Sequence, residues 1–548
     1  MMKRNLERVF TFVTTLVFIS FITNIQAQEF SRQDTLRGSI TPERAWWDLV
    51  YYHLDITVHP ESKSIEGKNT VRYKVIDGTK RMQIDLQAPL ELYKATQNGE
   101  ELTIDHEGNA HFIHLKEAQE KGDVKEVVVY YRGVPVEAVR PPWDGGITWR
   151  KDEMGNPFIA SSCQGIGASV WWPCKDHMYD EVDSMMISVN VPKELMNISN
   201  GRLVKVEKGK KKTKTYHWFV SNPINNYGVN INIGNYVHFG EKYEGEKGTL
   251  DMDYYVLEHN LEKAKLQFKD ARRTIEAFEH WFGPYPFYED SYKLVEAPYL
   301  GMEHQSSVTY GNGYQNGYRG RDLSGSGWGL KFDFIIVHES GHEWFANNIT
   351  YKDIADMWVH ESFTNYSEGL FVEHFYGKEA GAEYVIGTRS NIQNDIPVIG
   401  PYDVNQRGSG DMYYKGGNML HTIRQLVKND EKWRQLLRGL NKEFYHQTVT
   451  TKQVEDYMIR ELGLDLKPIF DQYLRTTMVP TFEYIVKDGK IHFKWNNCVK
   501  YFNMPVKIWV DGKPTWLNPV NEWKSEDLPL ESSSVEVDPN FYIGILNY

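Results

Sequence analysis

Between residues 46 and 256 apolar and polar positions alternate in short runs separated by turn signals, as in Leu54-Asp55-Ile56-Thr57-Val58 and Met186-Ile187-Ser188-Val189-Asn190. A period of two sends every second side chain of a strand to the same face, so this part of the chain predicts a large, mostly antiparallel β domain. Near Asn260 the period changes. Leu261, Ala264, Phe268, Ala271, Ile275, Phe278 and Phe282 recur at three- and four-residue intervals and stop at Gly283-Pro284, which predicts helix. A strand over 292–295 runs into Tyr299-Leu300-Gly301-Met302-Glu303-His304. The glycine-rich stretch 311–329 lacks the lysine pattern of a phosphate loop and reads as a flexible rim, with a helix beginning near Leu330. Helical patterns follow over 357–375, 417–427, 431–444, 451–461 and 466–474. From Pro480 strands return, and Asp488-Gly489 and Asp511-Gly512 between them favour two-residue hairpins. The pattern thus predicts a multidomain α+β protein, with a β domain over 28–256, a mixed α/β-to-helical domain over 257–478 and a small, sandwich-like β domain over 479–548. No repeat of solenoid or propeller length is present.

A chain of 548 residues exceeds one core. Its formal charge of −12 argues against nucleic acid and anionic lipid as partners, because both need a cationic face. Residues 1–27 read as a secretory leader: Lys3, Arg4 and Arg8 open it, an apolar run covers 9–25, and Ile25-Gln26-Ala27 offers a cleavage site. This predicts an exported protein, periplasmic or secreted. The alternative is an uncleaved membrane anchor; the run is short for that and is interrupted by Thr11, Thr14, Thr15, Ser20, Thr23 and Asn24, so no stable membrane insertion is expected. Of the three cysteines, Cys163 and Cys174 could form a disulfide, and three reduced thiols fit equally well. The lysine-rich run 205–214 reads as a solvated hairpin tip.

The chemistry centres on Val337-His338-Glu339-Ser340-Gly341-His342-Glu343. Two histidines four apart on a helix share a face, so both imidazoles reach one cation, and Glu339 leans toward the same space as a base for water. A catalytic zinc takes three protein ligands and keeps one position open. Eighteen residues separate His342 from Glu361, enough to end one helix, turn, and bring a carboxylate from a second helix beside the first; Glu361 is the expected third ligand. Asn365 and Glu368, one and two turns further on, could orient the ligands, although the polarity of a surface helix explains them equally.

These motifs, with Gly301-Met302-Glu303 upstream and Tyr413-Tyr414-Lys415-Gly416 downstream, resemble the gluzincin aminopeptidases that include aminopeptidase N and leukotriene A hydrolase. The neighbourhoods of Ser162-Cys163-Gln164 and Pro173-Cys174 look closest to the leukotriene A hydrolase branch, the last strands to the aminopeptidase N branch. The resemblance implies a thermolysin-like catalytic domain with one zinc ion, acting on peptide substrates. It implies that Glu339 is general base and acid, that Tyr413 stabilises the oxyanion, that Glu303 and Gln164 bind the substrate's amino group, and that Gly301 and Met302 present backbone to an extended peptide. Three departures touch substrate preference: Leu300 where a small residue is common, and His304 and His360 where asparagine is usual. Two alternatives to an aminopeptidase remain at this level, a zinc endopeptidase and a non-catalytic surface-binding homologue. The first leaves Glu303 without a task, the second Glu339 and Tyr413.

Overall fold

The computed structural model describes residues 30–210, 212–529 and 534–548, so the leader and the alternative anchor within residues 1–27 lie outside the described residues. No helix among the described residues is long and apolar enough to cross a membrane.

The N-terminal β region is a ten-stranded sheet centred on Trp47–His59, which pairs antiparallel with Ser64–Val75 and parallel with Ser184–Pro192. Leu54, Ile56 and Val58 are all buried, as the alternation predicts. A smaller four-stranded sheet contains Pro157–Ser162, whose end delivers Cys163 and Gln164 toward the next region. Residues 205–208 and 213–214 of the lysine-rich run lie on the paired strands Arg202–Lys208 and Thr213–Val220, the first of them a solvated edge, and Lys211 lies outside the described residues. The three cysteines are free thiols; Cys163 and Cys174 are buried and Cys498 is half-buried. Two short helices, Arg32–Gly38 and Pro42–Ala45, precede the first strand and carry no apolar period long enough to reveal them.

A five-stranded sheet spans the junction at residue 257. Its strands Tyr236–Gly245 and Gly248–Leu257 continue into Tyr292–Glu296, Val308–Tyr310 and the edge strand Gly301–Met302. The helical pattern after Asn260 resolves into Leu261–Gln267 and Lys269–Phe282, with Phe268 between them packed against Tyr254 and Tyr310. The helix carrying the two histidines begins at Phe334 rather than near Leu330, because Asp333 caps it, accepting hydrogen bonds from the backbone N–H of Ile335 at 3.1 Å and Ile336 at 3.4 Å. Residues Trp328–Leu330 form only a separate single turn. The glycine-rich stretch is the rim of a cleft, tied down by the Asn312 amide, which donates to the carbonyl of Gly317 and to Asp333. A further helix, Lys378–Gly387, packs on the long helix Trp358–Tyr376.

The C-terminal strands form a four-stranded and a three-stranded sheet, the sandwich-like arrangement predicted. Asp488-Gly489 and Asp511-Gly512 all take positive φ, as two-residue hairpin turns of the favoured hand require. Phe482, Phe493 and Ile508 from these strands join the same apolar core as the catalytic helices, whereas the N-terminal β region has its own core.

Candidate active site

His338 and His342 project from Phe334–Gly341 and from its C-cap, and Glu361 from the second helix. The Nε2 atoms of His338 and His342 lie 3.8 and 3.4 Å from Oε2 of Glu361. That oxygen is buried and has no hydrogen-bond partner among the described residues. A tetrahedral ion with bonds of about 2.0–2.1 Å holds its ligand atoms about 3.3–3.4 Å apart, so a zinc ion fits among these three atoms and satisfies the orphaned oxygen. The charges agree. Burial alone would lower the His342 imidazole, yet Glu361, then Glu303 and Glu339, carry it up to about 10. Burial would raise Glu361, but the two histidines hold it below the usual carboxylate range. The cluster binds positive charge, and a divalent cation supplies it without protonating the ligands.

The outer contacts set the tautomers. His338 Nδ1 lies 2.7 Å from Oε1 of Glu368, and His342 Nδ1 lies 3.0 Å from the carbonyl of Phe345 and 3.0 Å from the Thr364 hydroxyl. With Nδ1 protonated and engaged, each Nε2 lone pair faces the metal position. Glu368 is itself held by the Tyr384 hydroxyl at 2.7 Å and by the Asn365 amide at 3.2 Å. Both residues that sequence alone left between orientation and surface polarity are buried and orient His338. Glu368→Gln is expected to weaken zinc binding by about 10- to 100-fold without unfolding the chain, measured by competition with a chelator. Unchanged affinity would show that the Glu368 contact does not tune the ligand.

The carboxylates of Glu303 and Glu339 converge on the imidazole of His342, with ligand atoms all within 4.8 Å of one another. Burial, with Glu303 and Glu361 adding to it, raises the Glu339 carboxyl despite the opposing imidazoles. Gly301 is required here by contact: a Cβ would meet Cγ2 of Ile335 at 2.6 Å and Oε1 of Glu339 at 2.9 Å. The edge strand therefore lies directly on the histidine helix. Gln164, from the other core, donates to Oε1 of Glu303 at 2.6 Å and to Oε1 of Glu361 at 3.1 Å. The Tyr227 hydroxyl donates to Glu303 at 3.1 Å, and the Asn347 amide holds the Glu303 carbonyl at 2.9 Å. Tyr413 precedes the helix Tyr414–Val427 and stacks over His338, ring centroids 6.0 Å apart. That helix approaches closely because Gly416 has no Cβ, which would meet the Ser362 hydroxyl at 1.8 Å.

One cleft is lined by all the predicted site residues, Met302 included. Sequence reasoning missed Trp143, Phe334, Tyr414 and Arg407 in the same cleft. Phe334 had a signal, since it sits one turn before His338 and its ring stacks on that imidazole at 5.2 Å, and so did Tyr414, the neighbour of Tyr413 in the downstream motif; Trp143 and Arg407 come from distant loops. The two unusual histidines are structural. His360 Nε2 accepts the backbone N–H of Tyr351 at 2.9 Å, and buried His304 places Nδ1 2.9 Å from the Thr309 hydroxyl. Leu300 lines the cleft.

Two histidines, a carboxylate from the second helix and an adjacent glutamate in a deep cleft define a metallohydrolase centre of the zinc type. Residues 266–473 match the peptidase family M1 domain. It is 22% identical to leukotriene A-4 hydrolase of Xenopus laevis over 76% of this chain and 68% of that protein. It is 21% identical to probable aminopeptidase 2 of Sulfurisphaera tokodaii over 70% of this chain and 50% of that one. The chain thus spans from about two thirds to about half the length of these relatives. In fold it resembles the M1 zinc metallopeptidase of Deinococcus radiodurans, with a TM-score of 0.65 and 20% identity, covering 79% of this chain and 95% of that one. A mutant of that protein bound to a Tyr-Ser-Ala substrate gives a TM-score of 0.66 at 20% identity, over 80% and 96% of the two chains.

Proposed function

We propose that this protein is an exported zinc aminopeptidase that removes residues one at a time from the free N-termini of peptides. The observation that carries this reading is the buried, acidic part of the cleft around Glu303. Buried Glu303 stands beside the metal ligands, with Gln164 bridging it to Glu361. A protonated α-amine forms charge-assisted hydrogen bonds with Glu303 and the Gln164 carbonyl oxygen, and this fixes the first peptide bond over the metal position. An endopeptidase has no use for a buried carboxylate at that point.

Zinc, when bound by His338, His342 and Glu361, polarises the scissile carbonyl and increases the acidity of water. Glu339 accepts a proton from the attacking water and passes it to the departing amine. The Tyr413 hydroxyl donates to the oxygen that becomes negative as the carbonyl carbon turns tetrahedral. Gly301 and Met302 offer strand edges to the substrate backbone, which keeps the peptide extended. Export rests on the leader-like residues 1–27 alone.

Glu303→Ala is expected to lower kcat/KM for free-amine aminoacyl amides by about 100-fold or more, with zinc content unchanged by elemental analysis, because a desolvated charge pair is removed. Activity within threefold of the wild type would remove Glu303 from substrate binding.

A further inference from the structure

The cleft has two unlike sides. On one, Phe334 and Tyr413 flank His338, and Tyr318, Leu323 and Tyr414 complete an uncharged, largely aromatic wall. On the other stand Gln164, Gly165 and Glu303, the end that takes the amine. Arg407 also lines this cleft. Its guanidinium is exposed to the cleft and makes no hydrogen bond or ion pair among the described residues. Of the carboxylates lining the cleft, Glu303 and Glu361 are held by Gln164 and Glu368 by His338, and none of Glu303, Glu339, Glu361 and Glu368 pairs with Arg407.

The backbone around Arg407 is held on both sides. The Ser409 hydroxyl donates to Asp395 at 2.5 Å, the Ser409 N–H to the carbonyl of Pro397 at 3.0 Å, and Gly408 packs so tightly on the Val398 carbonyl that a Cβ would lie 1.9 Å from it. Two residues before Arg407, the Asn405 amide donates to the carbonyl of Gly165 at 3.0 Å. That bond ties the Arg407 segment to the residue next to Gln164, and so to the amine side. A segment held there is placed to meet the side chain of a substrate's first residue.

We propose that Arg407 is a specificity residue that binds a substrate carboxylate, that of an aspartyl or glutamyl side chain at the N-terminus, so that peptides beginning with an acidic residue are preferred. The proposal deepens the aminopeptidase reading and rests on it. A guanidinium presents paired N–H groups to a carboxylate, and a fixed backbone limits the entropy lost in aligning them. Among the described residues Arg407 is the one arginine or lysine lining the cleft, so it attracts an acidic first residue and repels a basic one.

The test compares glutamyl and glutaminyl amides, which share shape and differ in charge, in the wild type, Arg407→Gln and Arg407→Glu. The ratio of kcat/KM for glutamyl over glutaminyl amide is expected to exceed unity in the wild type and to fall about tenfold in Arg407→Gln. In Arg407→Glu it falls further, and the lysyl-to-glutaminyl ratio rises. A second pair, alanyl-alanine and its C-terminal amide, reads the other source of a carboxylate, and its ratio is expected to stay constant across the three proteins. A glutamyl-to-glutaminyl ratio that does not move overturns the proposal, and so does a change confined to the alanyl-alanine pair. Calorimetric titration of Glu339→Gln, with and without Arg407→Gln, against glutamyl-alanine and glutaminyl-alanine reads the same preference as a ratio of Kd values. A wild type that cleaves none of the amides would refute the aminopeptidase reading, while the calorimetric ratio would still decide the role of Arg407.

Discussion

Glu339→Gln is expected to lower turnover about 1000-fold while zinc content stays stoichiometric, a barrier increase of about 4 kcal/mol. Glu339 lies between the two zinc-ligand histidines in sequence, yet the ligand set of His338, His342 and Glu361 is complete without it. Its carboxylate packs against Gly301 and faces His342 and Glu303. The amide keeps that packing and cannot accept the proton of the attacking water, so binding survives and chemistry stops. Loss of zinc together with activity would instead make Glu339 a ligand, and turnover within tenfold of the wild type would place the base elsewhere.

The second large effect is discrimination against blocked amines. Glu303 and Gln164 meet at the end of the cleft where the edge strand Gly301–Met302 and the N-terminal β region come together. An N-acetylated peptide, or the interior of a longer chain, brings a neutral amide there in place of a cation. Glu303 is then desolvated with no compensating charge, at a cost of about 3–5 kcal/mol, which corresponds to a few hundred- to a few thousand-fold in kcat/KM. The acyl group also needs room that Gln164 and Tyr227 occupy around Glu303.

The metal triad could be read from sequence because its geometry is largely local. The spacing of His338 and His342 depends only on the pitch of a helix, and Glu361 only on a second helix lying beside it. Strand alternation and the Asp-Gly turns were legible for the same reason. The outer contacts were not: Glu368 and Asn365 look like ordinary polar residues of a helix until Trp358–Tyr376 is seen to be buried along most of its length. The helix Lys378–Gly387 escaped because two glycines and a weak apolar period leave it no sequence signature. Arg407 and Trp143 sit in loops of different regions, and only tertiary packing brings them to one cleft. The end of the glycine-rich stretch near Leu330 does not mark the start of the histidine helix; the cap at Asp333 decides the boundary.

The most direct measurement is mass spectrometry of digests of matched peptides, each with a free or an acetylated N-terminus, incubated with the zinc-loaded wild-type protein. The account predicts a ladder of products shortened one residue at a time from the free N-terminus, with the acetylated peptides left intact. Equal cleavage of both sets at internal bonds would contradict it and make the protein an endopeptidase.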